Sequence, residues 1–520
     1  MAQRQDPVVI VGAGIGGLVS AALLSARGLP VTVVERAGHG GGKARQLPID
    51  GTLVDAGPTV FTMRPVIDAI FAEAGAASDD HLVLRRATRL ARHAWGPDER
   101  LDLYAEFEQS CAAIGDFAGA RAAQGYRSFA AEAKRIHDIL DHSFLQNSKT
   151  YPPGLMWRIG LWRVGALLAI RPYESLWKVL GEHFADPRLR QLFGRYTTYC
   201  GSSPFKTPAT LMLIAHAEAQ GVWEIDGGIS ALAGALELVA RANGAQFRYG
   251  EGAAQILTER GRAAGVALDS GERMTAAKVI FNGDPAALGT GLLGPAVRKA
   301  ARATPVKARS LSAMVWLAHA RTSGFDLAHH NVFFSGDYPA EFRALAGGQV
   351  PPQPTAYVCA LDRGEGRAAP ALRERLQIIV NAPANGDTHE YGAEERQICT
   401  ANMLAALRRA GLELEEPLPH RLLSPTDFSA RFPATGGALY GRASHGWAAS
   451  FLRPGSRTAI PGLYCAGGAT HPGAGVPMAA LSGKLASQAL LSDLGLTRSS
   501  HQRAIAGGMS TRSATTGATA

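Results

Sequence analysis

The fold of this chain is decided near its start, by residues 8–35, which read VVIVGAGIGGLVSAALLSARGLPVTVVE. A β-branched run at 7–11 leads into a glycine turn, an Ala/Leu-rich helix at 18–27 follows, and a second β-branched run at 31–34 ends at Glu35. Strand, turn, helix and strand in this order predict a β-α-β unit. Its two strands should pair in parallel through a right-handed crossover.

The turn carries the spacing G-x-G-x-x-G. Gly12 permits the tight turn, Gly14 lets the backbone approach a pyrophosphate, and Gly17 lets the helix pack closely on the strand. The helix N-terminus supplies N–H donors to the phosphates, and Glu35 falls where the ribose-binding acid belongs. Glycine turns also occur for structural reasons, but the whole context predicts a dinucleotide site. Its residues are Gly12, Ala13, Gly14, Ile15, Gly16, Gly17 and Glu35.

Two further segments indicate that the dinucleotide is FAD. The run 40–44, Gly-Gly-Gly-Lys-Ala, lets a loop wrap the diphosphate and ribityl chain, although a flexible surface loop is the alternative. The turn Asp55-Ala56-Gly57-Pro58-Thr59 offers rigid backbone to an isoalloxazine ring. Arg36 is either a cofactor contact or a solvated charge at the end of the strand.

A second glycine- and proline-rich turn, 466–478, precedes a helix near the C-terminus. It has little side-chain bulk and can lie flat against a planar ring, while the helix N-terminus stabilises negative charge on a reduced flavin. His471 within it is either a proton carrier or a residue with a structural role.

The length of 520 residues favours two interleaved domains. Antiparallel strands are indicated at 311–320, 355–361 and 376–382, after a mostly helical region, and the segment 462–491 returns to strand, turn and helix. We therefore expect an α/β fold, in which a Rossmann-type FAD-binding domain with a parallel sheet is interleaved with an α+β substrate domain. The substrate domain contains an antiparallel sheet and a helical membrane-facing region. The expected FAD-binding parts are 1–95, 225–300 and 445–494, the substrate parts are 96–224 and 301–444, and 495–520 is a disordered tail.

Composition excludes several classes of protein. With 46% apolar and 19% charged residues the chain is globular. Its five cysteines lie far apart, so neither a disulfide framework nor a metal site is indicated, and a reducing compartment fits best. The net charge of +9 is scattered, so nucleic acid is not expected as a partner. There is no 18-residue uncharged apolar run, so no membrane span is expected.

These motifs together resemble the bacterial phytoene desaturase family of FAD-dependent carotenoid desaturases, over the chain as far as about residue 494. The likeness rests on the N-terminal glycine turn with Glu35, Gly41-Gly42-Lys43-Ala44, Gly57-Pro58-Thr59, and the segment 462–477. Within that family, the segments 424–447, 196–199 and 221–223 are similar to the 1-hydroxycarotenoid 3,4-desaturases (methoxyneurosporene dehydrogenases) of purple bacteria.

The resemblance implies that hydride passes from an acyclic 1-hydroxycarotenoid to FAD, which forms the C-3,4 double bond in spheroidene- or spirilloxanthin-type carotenoid biosynthesis. It adds the following FAD contacts: Gly42, Lys43, Ala44, Pro58, Thr59, Ala253, Gly467, Gly468, Gly475, Val476, Pro477 and Met478. The family's Asp and Arg, assigned as acid and base, would fall at 158–163, where no Asp stands and Arg163 is the candidate for the Arg. The catalytic residue and the electron acceptor that reoxidises the flavin are left open.

Three other functions share the fold: a carotenoid isomerase, a flavin amine oxidase, and a lipid-binding relative without flavin, such as a GDP dissociation inhibitor. Amine oxidases usually carry an acid directly after the C-terminal Ala-Gly, whereas Gly468-Ala469-Thr470 stands here. The colour of the purified protein separates the last alternative from the others.

Substrate and membrane contacts are expected at four residues. Tyr440 and His445 are candidates for binding the substrate hydroxyl. Trp157 and Trp162 lie in an Arg- and Trp-containing apolar segment that suits a lipid headgroup boundary, with an ordinary buried helix as the alternative. We expect a peripheral protein on the cytoplasmic side of the inner or intracytoplasmic membrane.

Overall fold

The computed structural model describes residues 7–148, 151–159 and 169–496. Trp162, Arg163 and positions 497–520 of the expected tail lie outside these ranges. The strands are β1 Val8–Val11, β2 Val31–Glu35, β3 Gln46–Ile49, β4 Thr52–Asp55, β5 Leu84–Arg86, β6 Arg89–Ala94, β7 Arg100–Tyr104, β8 Trp223–Ile225, β9 Gln246–Tyr249, β10 Ala253–Glu259, β11 Arg262–Leu268, β12 Arg273–Thr275, β13 Lys278–Phe281, β14 Ser312–Ala320, β15 Thr322–Ser323, β16 His330–Phe333, β17 Ala356–Ala360, β18 Glu374–Ala382, β19 Glu413–Leu414, β20 His420–Leu423 and β21 Leu463–Cys465.

The α-helices alternate with these strands and concentrate in the first half of the chain. They are α1 Ile15–Ser25, α2 Arg64–Glu73, α3 Phe107–Ala118, α4 Ala120–Leu140, α5 Pro152–Ile159, α6 Leu176–His183, α7 Pro187–Gly194, α8 Leu213–Ala219, α9 Ile229–Ala242, α10 Ala286–Thr290, α11 Tyr338–Ala346, α12 Ala393–Arg409, α13 Pro425–Arg431 and α14 Val476–Asp493. Within the described ranges, no helix is both long enough and apolar enough to cross a membrane.

A five-stranded parallel sheet lies at the centre of the first part, in the order β21-β13-β1-β2-β9. All four residues of β1 are buried, as a continuous β-branched strand covered on both faces requires. Helices α1, α9 and α14 cover one face, and the antiparallel sheet β10-β11-β12 covers the other. The strand-turn-helix near the C-terminus thus returns to the sheet that the N-terminus begins.

A seven-stranded sheet, in the order β20-β14-β18-β17-β16-β6-β7, forms the second part. Its pairs are antiparallel except for β16 with β6. One face packs on α12. The other meets the hairpin β3-β4 and the helical region. This confirms the expected parallel and antiparallel sheets on one interleaved chain.

The expected end of the first FAD-binding part at residue 95 is wrong in one respect. β6 lies inside 1–95, yet it pairs with β16 and β7 in the seven-stranded sheet. Similarly, β5 pairs with β8, which comes about 140 residues later in sequence. Local periodicity gives the strand but not its partner, because pairing is decided by long-range packing.

Candidate flavin and substrate site

The glycine turn between β1 and α1 is packed so tightly that neighbouring backbone leaves no room for side chains at Gly16 and Gly17. Gly12 has φ +99°, a left-handed conformation that favours glycine. A Cβ on Gly17 would lie 2.1 Å from the Gly12 carbonyl oxygen, and one on Gly16 would lie 2.8 Å from the Gly467 nitrogen. The turn therefore exposes bare backbone where the two glycine-rich segments of the sequence meet.

Glu35 ends β2 beside this turn and is half-buried. Its Oε2 accepts from the Ala13 N–H at 2.8 Å, and its Oε1 accepts from the Ala37 N–H at 2.9 Å. The Glu35 carbonyl accepts from Glu251 N–H at 3.1 Å, which brings the start of β10, with Ala253, to the same strand end. The exposed Arg36 donates to the Arg431 carbonyl and so bridges to α13.

The loop 40–44 folds against the turn rather than into solvent. Gly41 N–H donates to the Ala13 carbonyl at 2.8 Å, and a Cβ on Gly42 would lie 3.1 Å from the Gly14 Cα. Lys43 Nζ donates to the Leu439 carbonyl and lies 5.1 Å from the centre of the Phe432 ring. Burial lowers the pKa of Lys43 to about 8, although nearby Asp284 opposes the shift.

The helices α1 and α14 cross in direct contact, and both begin at the carboxyl end of the parallel sheet. A Cβ on Gly483 would lie 2.2 Å from the Gly16 carbonyl oxygen, and Ser20 Oγ donates to both of these glycine carbonyls, at 2.9 Å to Gly16 and 3.1 Å to Gly483. Gly475 caps α14, whose first residues are the predicted contacts Val476, Pro477 and Met478. Two helix N-termini at one sheet edge suit an anionic dinucleotide.

Two residues at this edge were missed by the sequence analysis. Asn282 follows β13 and donates from Nδ2 to the Gly12 carbonyl at 3.1 Å. The buried Arg453 donates to the carbonyls of Tyr440 at 3.0 Å and Gly468 at 3.3 Å, and thus holds the C-terminal turn. A short Asn-Gly-Asp after a buried strand was the available signal for Asn282, whereas Arg453 has no sequence signal.

The predicted turn 55–59 is held by the seven-stranded sheet. Tyr357 Oη donates to Thr59 Oγ1 at 2.8 Å, and Gln377 Nε2 donates to the Gly57 carbonyl at 2.8 Å. The intervening Pro58 is half-buried. The sheet thus contacts the turn expected beside the isoalloxazine ring, and these two side chains were also missed.

The two expected substrate residues pack against the turn at 201–203. His445 Nε2 accepts from the Ser203 N–H at 3.0 Å, and burial lowers the pKa of His445 to about 4, so the ring is neutral. Tyr440 packs against Gly201, where an added Cβ would lie 2.4 Å from the tyrosine ring, and burial raises the pKa of Tyr440 to about 12. Their role as substrate contacts stays a prediction.

The segment 196–199 belongs to a buried polar network in the helical region. Tyr196 Oη and Tyr199 Oη donate to the two carboxylate oxygens of Glu218, at 2.6 and 2.7 Å, and Arg195 Nη2 donates to Tyr199 Oη at 3.2 Å. Because buried charges require partners, this network ties α8 to the turn after α7.

His471 is buried and its ring lies 4.7 Å from that of Phe144, with Nε2 3.0 Å from the Phe144 carbonyl. Burial lowers the pKa of His471 to about 4. A neutral ring bound to a backbone carbonyl favours the structural alternative for this residue over a proton carrier.

The site fits FAD by its own geometry. A dinucleotide site needs closely packed backbone, N–H donors for the phosphates and an acceptor for the ribose. This site provides them through its glycines, two helix N-termini and the Glu35 carboxylate. The buried Asn282 Oδ1 and Arg45 Nε have no hydrogen-bond partner within the described part of the chain, as expected of groups that face a ligand. Fold and site therefore define a flavin-binding protein.

The comparisons with known proteins agree. Residues 15–491 match the family described as flavin containing amine oxidoreductase. Hydroxyneurosporene desaturase of Rubrivivax gelatinosus is 50% identical over 99% of this chain and 98% of its own. A 1-hydroxycarotenoid 3,4-desaturase of Flavobacterium sp. strain P99-3 is 29% identical over 92% of this chain and 97% of its own. A putrescine oxidase structure, at 17% identity, covers 94% of this chain and 99% of its own with a TM-score of 0.59, which shows the shared fold.

The chain belongs to the flavin-containing amine oxidoreductase family and, within it, to the FAD-dependent carotenoid desaturases. Its cofactor is FAD, and it is an oxidoreductase.

Proposed function

We propose that this enzyme introduces the C-3,4 double bond into an acyclic 1-hydroxycarotenoid of the hydroxyneurosporene type, in spheroidene- or spirilloxanthin-type carotenoid biosynthesis. The proposal rests on one observation: over nearly its full length, the chain is 50% identical to a protein named hydroxyneurosporene desaturase. The name of the Flavobacterium relative adds the position of the hydroxyl and of the new double bond.

The proposed desaturation does not require a strong acid or base from the protein. Bound FAD supplies a hydride acceptor. Hydride loss from C-4, the carbon next to the polyene, leaves positive charge that the polyene delocalises, and a weak base then suffices to take the proton from C-3. The protein's contribution is placement: Tyr357 and Gln377 fix the turn 55–59 against the sheet. The helical region contains a buried apolar cluster around Phe129, Phe184 and Phe193, from which water is excluded.

The test uses the purified holoprotein and a 1-hydroxycarotenoid in liposomes, with an artificial quinone as electron acceptor. The expected result is a polyene absorption shift equal to one added double bond, dependent on the quinone. A spectral change without any quinone requirement would indicate the isomerase alternative. Reduction of the flavin by putrescine, with none by the carotenoid, would indicate an amine oxidase instead.

We further propose that the enzyme reaches its lipid-dissolved substrate through an exposed apolar patch. In the proposed patch we group the exposed side chains Tyr151, Met156, Trp157, Tyr173, Trp447 and Leu452. Trp157 is 74% exposed on α5, and Tyr173, 75% exposed, has its ring 5.9 Å from that of Trp447. Large exposed aromatic groups in contact with one another are typical of interaction surfaces, and Trp and Tyr suit the headgroup boundary.

The parts of this patch are joined by contacts beneath it. The Trp447 ring lies 6.4 Å from that of Phe451, which lies 5.8 Å from that of Phe144. Arg158, next to Trp157, donates to the Ser143 carbonyl at 3.3 Å. We propose that the patch lies on the cytoplasmic side of the inner or intracytoplasmic membrane. The five buried, unpaired cysteines suit a reducing compartment.

A further inference from the structure

Polar side chains cross the seven-stranded sheet on the face that meets Gly57 and Thr59. His330 in β16 stands opposite Cys359 in β17, and Cys359 stands opposite Gln377 in β18. Residues directly opposite one another on neighbouring strands share a face. Because Gln377 reaches the Gly57 carbonyl, this face is the one turned toward the predicted flavin turn.

The protonated nitrogen of the His330 ring is assigned from its contact with Tyr357. Tyr357 Oη donates to Thr59 Oγ1 at 2.8 Å and lies 2.7 Å from His330 Nδ1. With the hydroxyl proton of Tyr357 given to Thr59, we assign the proton of the His330 ring to Nδ1, which then donates to Tyr357. Nε2 of His330 is then an acceptor with a free lone pair.

That acceptor is buried and has no hydrogen-bond partner among the described residues. The His330 side chain is 4% exposed, so bulk water does not satisfy it. Burial lowers the pKa of His330 well below its usual value, and His329 and Arg195 lower it further, so the ring stays neutral. A neutral, buried, unpaired acceptor is costly unless a ligand brings a donor.

The substrate class named for the relatives carries such a donor close to the reacting bond. In a 1-hydroxycarotenoid, a single methylene, C-2, separates the hydroxyl-bearing carbon from C-3 of the 3,4 bond. The residue that recognises the hydroxyl must therefore lie beside the flavin site and not at the far end of a tunnel. His330 meets this requirement, because Tyr357 alone links its ring to Thr59.

We propose that His330 Nε2 is the hydroxyl subsite of this enzyme and accepts a hydrogen bond from the terminal tertiary alcohol of the carotenoid. Tyr357 is a positioning residue that holds the imidazole in the accepting tautomer. The inference rests on the proposed function and deepens it, since it assigns the preference for hydroxylated substrate to one atom. Everything else about that end of the substrate is apolar, so this contact separates hydroxylated from non-hydroxylated chains.

The test compares the holoenzyme with His330→Leu, His330→Gln and Tyr357→Phe on a matched pair of carotenoids, with and without the 1-hydroxyl. The readouts are kcat/KM and the Kd of each carotenoid from quenching of tryptophan fluorescence. His330→Leu should lose about 10-fold or more in both readouts for the hydroxylated chain and leave the other chain unchanged. His330→Gln should retain part of the preference, because its Oε1 can accept, and Tyr357→Phe should weaken it.

His93→Leu is the control. His93 lies on the neighbouring strand β6, is also buried and neutral with an unpartnered Nε2 among the described residues, and has its Nδ1 3.1 Å from the Leu101 carbonyl and not on Tyr357. This variant should keep the preference of the parent enzyme. If His330→Leu discriminates as the parent does, the subsite is overturned, whereas a parent that converts neither carotenoid overturns the proposed function itself. FAD content is checked throughout, and if His330→Leu does not fold, the Gln and Phe variants decide the matter.

Discussion

The backbone N–H of Ala13 donates to Glu35 Oε2 at 2.8 Å, so a carboxylate at the end of β2 holds the glycine turn at the end of β1. The second oxygen of the same carboxylate accepts from Ala37 N–H at 2.9 Å. Glu35 therefore shapes the turn and at the same time places negative charge where a ribose presents its hydroxyls. Structural and ligand-binding roles coincide in this residue.

Glu35→Ala should weaken FAD binding by about 10-fold or more, since charge-assisted hydrogen bonds contribute about 1.5 to 3 kcal/mol each. Flavin fluorescence titration of the apoprotein measures the Kd. Glu272→Ala serves as the control, because Glu272 is exposed and pairs with Arg248. Equal FAD affinity in the Glu35 variant and the parent would contradict the ribose assignment.

Gly17→Ala should abolish FAD binding and lower the thermal stability, because the new Cβ would lie 2.1 Å from the Gly12 carbonyl oxygen. Gly38→Ala is the matched control: its Cβ would meet no atom within 4 Å, and Gly38 is not among the glycines with positive φ. Flavin absorbance after purification and the Tm are measured for both. A yellow, stable Gly17 variant would show that the turn can move.

Glu132→Gln should reduce stability near neutral pH by about 3 kcal/mol, as expected when one partner of a buried ion pair is removed. The carboxylate accepts from Arg171 Nε at 2.8 Å and contacts His183 Nε2 at 2.9 Å. The hydrogen bond with His183, together with Arg171, holds the pKa of Glu132 below its usual 4.5, against the effect of burial.

A lowered carboxylate pKa gives stability that is present above pH 4.5 and lost as the pH falls through the lower, folded value. The difference between parent and Glu132→Gln should therefore shrink in acid. Urea unfolding on both sides of that pH measures it. Glu108→Gln, which removes an exposed pair with Arg127, should change little, and a gap that persists in acid would argue against the linkage.

Trp157→Ala combined with Trp447→Ala should release the protein from anionic liposomes and lower activity on membrane-held carotenoid, with FAD content unchanged. Flotation measures the binding, and added salt should weaken the contribution of the +9 net charge but not that of the rings. Leu238→Ala is the control, since Leu238 is 61% exposed on α9 of the FAD-binding part. If the double variant floats with liposomes as the parent does, the exposed patch is not the membrane contact.

Local sequence was enough for the elements that bind the cofactor. The β-branched runs predicted at 7–11 and 31–34 are found as β1 and β2, and the helix predicted between them is found as α1, because apolar periodicity and turn residues act over a few neighbours. The glycine turn could be predicted for the same reason, because each glycine in the spacing G-x-G-x-x-G has a defined role in the backbone of the turn.

What the tertiary structure alone decided is which distant residues share the site. Gln377 lies in a strand whose pattern predicts only a sheet, and His330 lies in a strand that the sequence analysis did not predict. Nothing in either strand points to the turn at Gly57, some 270 to 320 positions earlier in the chain. Arg453 likewise reaches the Gly468 turn from an irregular segment. The sequence determined many of the strands and the dinucleotide turn because those depend on local backbone conformation. The face of the seven-stranded sheet that carries His330 and Gln377 meets the turn at Gly57 only because of how the distant parts of the chain pack together, which is a property of the assembled core.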